Sequence, residues 1–589
     1  MNNIENPFQI TTPEDLSAEE TVNLFVDVFS DFEKLKTPSH TFLVGPRGVG
    51  KSMMFRYLQP DCQCFGNKCS FENIPFFAIY IPIKNTTFSI TEFRRLDNKH
   101  ADRLFNEHWM VCYIFMRIID YIRNDEKLIK SIKPNNLLEY CNENFDNKCN
   151  KNDSISILNN IYNIIDIEYK KIKNYAKKLA FSNNIVEYDG ELYDYIDFLI
   201  PNIEKLKEVN GFPKCPIYLL IDDAHNLSNI QTEILNTWVY SRTSRKVSLK
   251  ISTQYNYKTF YTVSGEIIES PHDYYQIDVS TIYTSNIDKY RDRIKEIVEK
   301  RLKLSKINKN AYEYFPEYKK QEDKIKEIEE KYIKEYDDGK ARGNNRTDDA
   351  RRYARADYIK NLGNISKSSS KYFYAGFEQL VNLSSGIVRL FIESANSMYS
   401  IQSNKNHENK LDIVDYIEYS VQNYVIRDEA NRLLFDDLEK LKVQKDENNK
   451  DENNKIENED IEKLFNLISG LGALFYEILI SNKSERKIFS FVIPDDISKN
   501  TENILNLGIQ LGYFHKDTIG RKDPNFRGRT RLYVMNRKLA PIWTLDPNGL
   551  FGYLTIKNKY IESIIKNPKS YKNYLDYKYY DISLFGEEE

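Results

Sequence analysis

The chain has 589 residues, too many for one hydrophobic core, and at roughly 100–200 residues per domain it should divide into about three or four. Its net charge of −3 excludes a uniformly basic nucleic-acid binder, so any DNA contact has to come from local patches. Apolar runs such as Ile217 to Ile221 are far short of the ~20 residues of a membrane span, the start Met1-Asn2-Asn3-Ile4-Glu5-Asn6 lacks a secretory pattern, and seven scattered cysteines form no disulfide framework; a cytoplasmic protein with no membrane contact is expected.

Near the start, Thr12-Pro13-Glu14-Asp15 and Ser17-Ala18-Glu19-Glu20 offer an N-cap, a proline at N1 and a capping box. Val22, Phe25, Val26, Phe29 and Phe32 then recur at helical spacing, which predicts a capped helix ahead of the strand Thr41-Phe42-Leu43-Val44. That strand runs into Gly45-Pro46-Arg47-Gly48-Val49-Gly50-Lys51-Ser52, a complete G-x-x-x-x-G-K-S loop, with Met53 opening a helix expected over Ser52 to Gln59 and ended early by Pro60. Glycines let successive N–H groups turn toward phosphate oxygens. Lys51 reaches the β- and γ-phosphates of ATP, and the Ser52 hydroxyl ligates Mg²⁺. An accidental Gly-rich turn would lack the strand before it and the helix after it.

Cys62, Cys64 and Cys69 lie close together, but their spacing is not a paired C-x-x-C set and no fourth ligand follows, so they read as ordinary thiols rather than zinc ligands. A buried strand is expected at Phe76 to Ile83, and residues ~85–210 read as mostly helical. Cys215 to Asp222 is apolar throughout and suits the centre of a parallel sheet. It ends in Asp222-Asp223, the acidic pair a P-loop requires: Asp222 to hold the Mg²⁺ shell, Asp223 to orient the attacking water. Val247 to Thr253 and Tyr275 to Tyr283 are further strands. Strands buried on both sides and alternating with helices indicate an α/β three-layer P-loop core.

Ile287, Tyr290, Ile294, Ile297, Val298 and Leu302 mark an amphipathic helix that closes a first domain over 1–303. A charged helical excursion follows at 304–370, with Ile325, Ile328, Tyr332 and Tyr336 at helical spacing, then a helical region at 371–440. The polar repeat Lys445-Asp446-Glu447-Asn448-Asn449 marks 441–456 as a low-complexity linker. Over 457–556 the order of helices, then strands around a polar turn, suits a winged helix-turn-helix: Ile461, Leu464, Phe465, Ile468 and Leu471 on one helix, Ile504, Leu505, Leu507, Ile509 and Leu511 on another, and strands Tyr513–Asp517 and Thr530–Met535 flanking a wing. Arg521, Lys522, Arg527, Arg529 and Arg531, beside Lys516, concentrate positive charge on that wing and point to duplex DNA; a solvated hairpin tip or a protein-docking wing is the bland alternative. The tail 557–589 is rich in Lys and Tyr and fits no class.

With the P-loop and acidic pair in place, the sequence resembles AAA+ ATPases, in particular the origin-recognition and replication-initiator clade, with some likeness to signalling ATPases of the STAND type. The resemblance covers roughly 1–300 and 371–440. It implies that Thr253 and Gln254, with Ser252 behind them, form sensor 1 at the end of Val247 to Thr253. It further implies that Tyr283-Thr284-Ser285-Asn286-Ile287 enters a helical lid, and that Arg389 in Ser384-Ser385-Gly386-Ile387-Val388-Arg389 is the sensor 2 arginine closing the lid on ATP. A homo-oligomer or a partner ATPase subunit is implied too, one subunit lending an arginine to the next, with Arg242, Arg245, Arg351, Arg352 and Arg355 as candidates. Departures are a helical insertion near 120–210, the charged excursion, and Asp223 where many relatives carry the longer Glu, which implies slow hydrolysis. What the resemblance implies is an ATPase switch coupling nucleotide state to DNA binding; the alternative is a STAND-like signalling or antiphage-defence ATPase whose C-terminal module binds protein.

Overall fold

Alternation along the first strands separates an apolar face from a polar one. The computed structural model describes residues 6–10, 12–27, 32–84, 92–96, 99–145, 149–181, 186–241, 246–279, 287–340, 345–363, 371–408, 414–443, 458–481, 486–520, 529–549 and 552–576. They cluster into two units, Thr11–Ser280 and Met1–Ile10 with Thr281–Glu589.

In the first unit, β1 (Thr41–Val44), β2 (Phe77–Pro82), β3 (Ile217–Asp222), β4 (Val247–Thr253) and β5 (Tyr275–Asp278) form a parallel sheet in the order β2-β3-β4-β1-β5. Phe77, Ile79 and Ile81, Ile217, Leu219 and Ile221, and Val247, Leu249 and Ile251 join one apolar cluster with residues of the long helices α4 (Lys99–Asn124) and α5 (Ser154–Phe181). Side chains on a strand alternate between faces, so Tyr80, Asp222, Ser248, Lys250 and Ser252 lie on the opposite side. The three β4 residues on this side, Ser248, Lys250 and Ser252, are buried and satisfied. Ser248 donates to the Ser39 carbonyl at 2.9 Å, Lys250 donates to the carbonyls of Thr37 and Ser39 at 2.6 Å each, and Ser252 donates to Asp222. Lys250, its amine pulled down to about 7 by burial, staples the segment entering β1 to the central strand.

Ser17 and Glu20 form the expected capping box on α1 (Ala18–Leu24), an arrangement typically contributing about 1 kcal/mol. The helix is shorter than its apolar spacing suggested: Phe25 is already extended, and Phe29 lies outside the described residues. The P-loop helix α2 spans Lys51–Tyr57, and Pro60 does not so much end it as start α3 (Pro60–Asn67), sitting at N1 where a missing N–H costs nothing. Helices fill most of 99–208. β3 and β5 are shorter than their apolar runs, and the step at Tyr283 to Asn286 lies outside the described residues. Helix α6 (Asn229–Ser241) precedes β4.

The second unit begins with α7 (Ile287–Leu304), whose buried stripe is Tyr290, Ile294, Ile297, Val298 and Leu302; this helix groups here and not with the sheet. The charged excursion is a pair of helices, α8 (Lys319–Asp337) and α9 (Arg346–Gly363), packed on each other. Two lid helices follow, α10 (Val388–Glu408) and α11 (Tyr419–Asn431), before the C-terminal module. That module holds α12 (Asn458–Leu479), β6 (Ile488–Val492), α13 (Lys499–Gln510), β7 (Phe514–Gly520), β8 (Arg529–Met535) and β9 (Gly552–Thr555), with a four-stranded sheet ordered β7-β8-β6-β9. Sequence spacing had shown only the β7–β8 hairpin. The tail is partly structured as well: α14 (Asn558–Lys566) buries Ile561, Ile564 and Ile565 and packs on α12.

Candidate functional site

The loop between β1 and α2 turns because two of its glycines accept backbone angles closed to other residues: φ is 87° at Gly48 and 103° at Gly50. Gly45 N–H donates to the Thr253 carbonyl at 3.2 Å, tying the loop's start to β4. Arg47 is exposed, while Gly45 and Val49 are buried and Pro46, Ser52 and Met53 are half-buried. The ammonium of Lys51 is buried and donates to the carbonyls of Gly45 and Pro46 at 2.8 and 2.9 Å. Burial pulls it down to about 8, against the opposing charges of Asp222, Asp223 and Asp278. Arg56 of α2 forms paired bonds to Asp61 at 2.8 and 2.7 Å and also donates to the Leu16 carbonyl, anchoring the P-loop helix to the N-terminal segment.

Asp222, buried at the end of β3, accepts from Ser252 and lies 2.9 Å from the Tyr80 hydroxyl oxygen. That same oxygen is 2.6 Å from Glu14 Oε1, so one hydroxyl hydrogen serves two carboxylates. Asp223 adopts the left-handed conformation with φ 58°, one that Asp tolerates better than most residues, and its N–H donates to Ser252 Oγ at 3.0 Å. The turn leaves its carboxylate half exposed. Burial and the charge of Asp222 push this carboxyl up to about 6, while Lys51 and Arg47 oppose the shift.

The structure brings Lys51, Asp222 and Asp223 into one electrostatic cluster. It separates the two sensor 1 candidates. Thr253 is buried and gives its hydroxyl hydrogen to the Gln254 carbonyl at 3.0 Å, whereas the Gln254 amide stands 2.8 Å from His225 Nε2. With that amide donating, the neutral ring carries its hydrogen on Nδ1, which lies 3.9 Å from Asp223 Oδ1. Burial and nearby Lys51 pull His225 down to about 4, so it is neutral at ordinary pH. Tyr80, Glu14 and His225 were not singled out from the sequence. Strand alternation was the one available signal, since it places Tyr80 on the face of Asp222.

The donor set fits Mg-ATP. An ideal Cβ at Gly50 would meet nothing within 4 Å, so the space beside the loop is open, and the buried Lys51 ammonium feels the charges of Asp222 and Asp223. Mg²⁺ is typically held through one or two protein oxygens plus the phosphates, and Ser52 and Asp222 offer oxygens of that kind.

From residue 6 to residue 556 the chain matches the family model described as ORC-CDC6-like. The chain belongs to the ORC-CDC6-like family. No curated protein matches it. Among solved structures, this ORC-CDC6-like chain is similar to Cdc6p from Pyrobaculum aerophilum, 12% identical over 97% of this chain and 98% of that one, with a TM-score of 0.25. It is also similar to the Aeropyrum pernix Orc1 protein in complex with DNA, 9% identical over 92% and 94%, with a TM-score of 0.28. The ORC-CDC6-like chain thus pairs an α/β P-loop core of the AAA+ type with a helical region and a winged helix. No helix among its described residues is long and apolar enough to cross a membrane.

Arg389 lies in the first turn of α10, in the second unit, with its Nε 2.8 Å from Glu393 Oε1. Of the arginines considered for a neighbouring site, Arg242 and Arg245 lie outside the described residues; Arg351 is exposed, Arg352 is 3.8 Å from Asp349, and Arg355 is held at 3.0 and 2.5 Å by Glu322. On the wing, Arg521, Lys522 and Arg527 lie outside the described residues, and Arg529 opens β8 opposite Gly520. Arg531 is exposed and 3.4 Å from Glu502 of α13. Lys516 and Arg531 stand two residues out of register on the paired strands β7 and β8, since Lys516 pairs with Tyr533 and Arg531 with Thr518.

Proposed function

We propose that this ORC-CDC6-like chain binds and hydrolyses ATP with Mg²⁺ and couples its nucleotide state to duplex DNA through the winged helix. The observation that carries this reading is the buried Lys51 ammonium set against Asp222 and Asp223 at the mouth of a complete P-loop. Backbone N–H groups from Gly45 to Met53 and the Lys51 ammonium would hold the triphosphate, and Ser52 with Asp222 would hold the metal. Mg²⁺, when bound, supplies charge neutralisation to the transferring phosphoryl group.

Asp223 is assigned the positioning of the attacking water. Its raised carboxyl makes it a better proton acceptor than an ordinary aspartate, and its half-exposed place gives it access to solvent. Ser252 and Tyr80 orient Asp222, Gln254 reports on the site through His225, and Thr253 holds the strand end. Arg389 is assigned to closing the lid on nucleotide in an oligomer or beside a partner subunit. Arg529 and Arg531 with Lys516 would meet phosphates on the DNA backbone.

Nucleotide titration of the full chain tests the first half of this reading. Lys51→Ala should abolish tight Mg-ATP binding, and Asp223→Ala should keep binding while turnover falls by at least tenfold. Unchanged hydrolysis in the Asp223 variant would remove it from its role. For the second half, duplex affinity should fall steeply with salt; a chain that binds no duplex at low salt is better described as a protein-docking ATPase.

A further inference from the structure

Helix α13 has one face packed and one face bare. Thr501, Ile504, Leu505, Leu507 and Gly508 are buried, and Gly508 leaves no room for a side chain: a Cβ there would stand 2.5 Å from the Phe514 ring and 3.1 Å from Leu464. This tight contact with α12 and β7 fixes which face looks outward. Lys499, Asn503, Asn506 and Gln510 lie on that outer face at intervals of four, three and four residues, and all are exposed. They form a single stripe about 16 Å long, matching about five base-pair steps. No described residue bonds the carboxamides of Asn503, Asn506 or Gln510. The stripe carries no arginine; Arg531 on β8 is 3.4 Å from Glu502 at the helix's flank.

We propose that this face enters the major groove and reads adenine edges, a specificity that rests on the DNA-binding role given above. A carboxamide donates through its NH₂ and accepts through its oxygen, the complement of adenine's N7 acceptor and N6 donor. Guanine presents two acceptors, N7 and O6, so the amide oxygen would face O6 with no hydrogen between them. Arginine, which suits guanine, is missing from the stripe, and Lys499 and Arg531 sit at its margins, where phosphates would lie. Affinity then comes from the margins, and A·T preference from Asn503, Asn506 and Gln510.

The test is duplex binding by the full chain, followed by fluorescence anisotropy on A·T-rich DNA, on G·C-rich DNA, and on the A·T duplex with 7-deaza-adenine, which lacks the N7 acceptor but keeps the minor groove. Wild type should bind the A·T duplex at least tenfold tighter than either of the others. The triple variant Asn503→Ala, Asn506→Ala, Gln510→Ala, with an unchanged melting temperature, should bind all three alike, while Arg531→Ala should weaken all three equally. Equal wild-type affinity for adenine and 7-deaza-adenine duplexes would overturn adenine readout while leaving DNA binding intact. No duplex binding at any salt would overturn both.

Discussion

Tyr80 holds its hydroxyl oxygen 2.9 Å from Oδ2 of Asp222, across the gap between neighbouring strands. Glu14 competes for the same hydroxyl hydrogen from 2.6 Å. Removing the hydroxyl takes one donor from the carboxylate assigned to the metal shell, a loss of about 1 kcal/mol for a hydrogen bond to a polar group. Tyr80→Phe should therefore raise the Mg²⁺ concentration needed for half-maximal ATP turnover by about fivefold, with the melting temperature little changed. Glu14→Gln should leave that requirement near wild type, because the hydroxyl still faces Asp222. An unaltered Mg²⁺ titration in the phenylalanine variant removes Tyr80 from the site.

Asp223 makes a prediction in pH. Its carboxyl, raised from 3.8 to about 6 by burial and by Asp222, binds its proton more tightly in the folded chain than in the unfolded one. Folding stability from this group is present below pH 3.8 and lost as pH rises through about 6. Asp223→Asn should accordingly be more stable than wild type at pH 7.5, by no more than about 1 kcal/mol once solvent screening of a half-exposed group is allowed for, and the difference should vanish toward pH 4. Turnover runs the other way, since a water-orienting carboxylate must be ionised. The kcat/KM for Mg-ATP hydrolysis by wild type should fall as pH drops through about 6, because that ratio reports the carboxyl of the free chain. A flat ratio between pH 5 and 7 would show that this carboxylate does not govern the reaction.

The P-loop and the Asp222-Asp223 pair were legible in the sequence because their chemistry is local: eight consecutive residues and one strand end. Gly48 and Gly50 are where left-handed angles are required, and the apolar run of β3 is buried on both faces. What joins them is not local. Tyr80 meets Asp222 across 142 residues, and Ser252 meets it across 30, through register that a single strand does not reveal. Reading β4 as uniformly apolar would have missed Lys250 altogether; its polar face exists because Ser39 and Thr37 offer carbonyls. β6 and β9 went unseen for a related reason. Each is short, and β9 finds its place only by parallel pairing with a strand far earlier in the chain, from Ile488↔Gly552 to Val492↔Thr555.

Arg355, dense among its neighbours in sequence and for that reason a candidate to act on another subunit, is committed inside its own. Glu322 takes both ends of the guanidinium and Tyr372 sits 2.9 Å from it. Arg355→Ala leaves Glu322 without its partner in a mostly buried position, and should cost about 3 kcal/mol in denaturant unfolding. Glu322→Gln combined with Arg355→Ala should cost less than the sum of the single changes, as two members of one pair. Additive losses would mean that the pair contributes nothing as a pair.

Gly472 decides between two opposing effects on α12. Alanine is the better helix former by about 1 kcal/mol, so Gly472→Ala should stabilise an isolated helix. In the folded chain a Cβ would stand 2.3 Å from Cδ2 of Trp543, closer than any real contact, and the indole must move. Overpacking of this kind costs about 1–3 kcal/mol, and displacement of a large ring belongs at the upper end. Gly472→Ala should therefore lower stability by about 2 kcal/mol, read as an earlier loss of tryptophan fluorescence in a denaturant titration. Gly470→Ala should do the same through a different neighbour, since Ile564 Cγ2 lies 2.4 Å and the Pro568 carbonyl oxygen 2.8 Å from the new atom, and a backbone atom cannot rotate aside. Trp543→Leu should relieve the first variant and not the second, with unfolding followed by circular dichroism. If the leucine rescues both equally, the two glycines do not serve separate contacts, Gly472 with Trp543 and Gly470 with the tail helix.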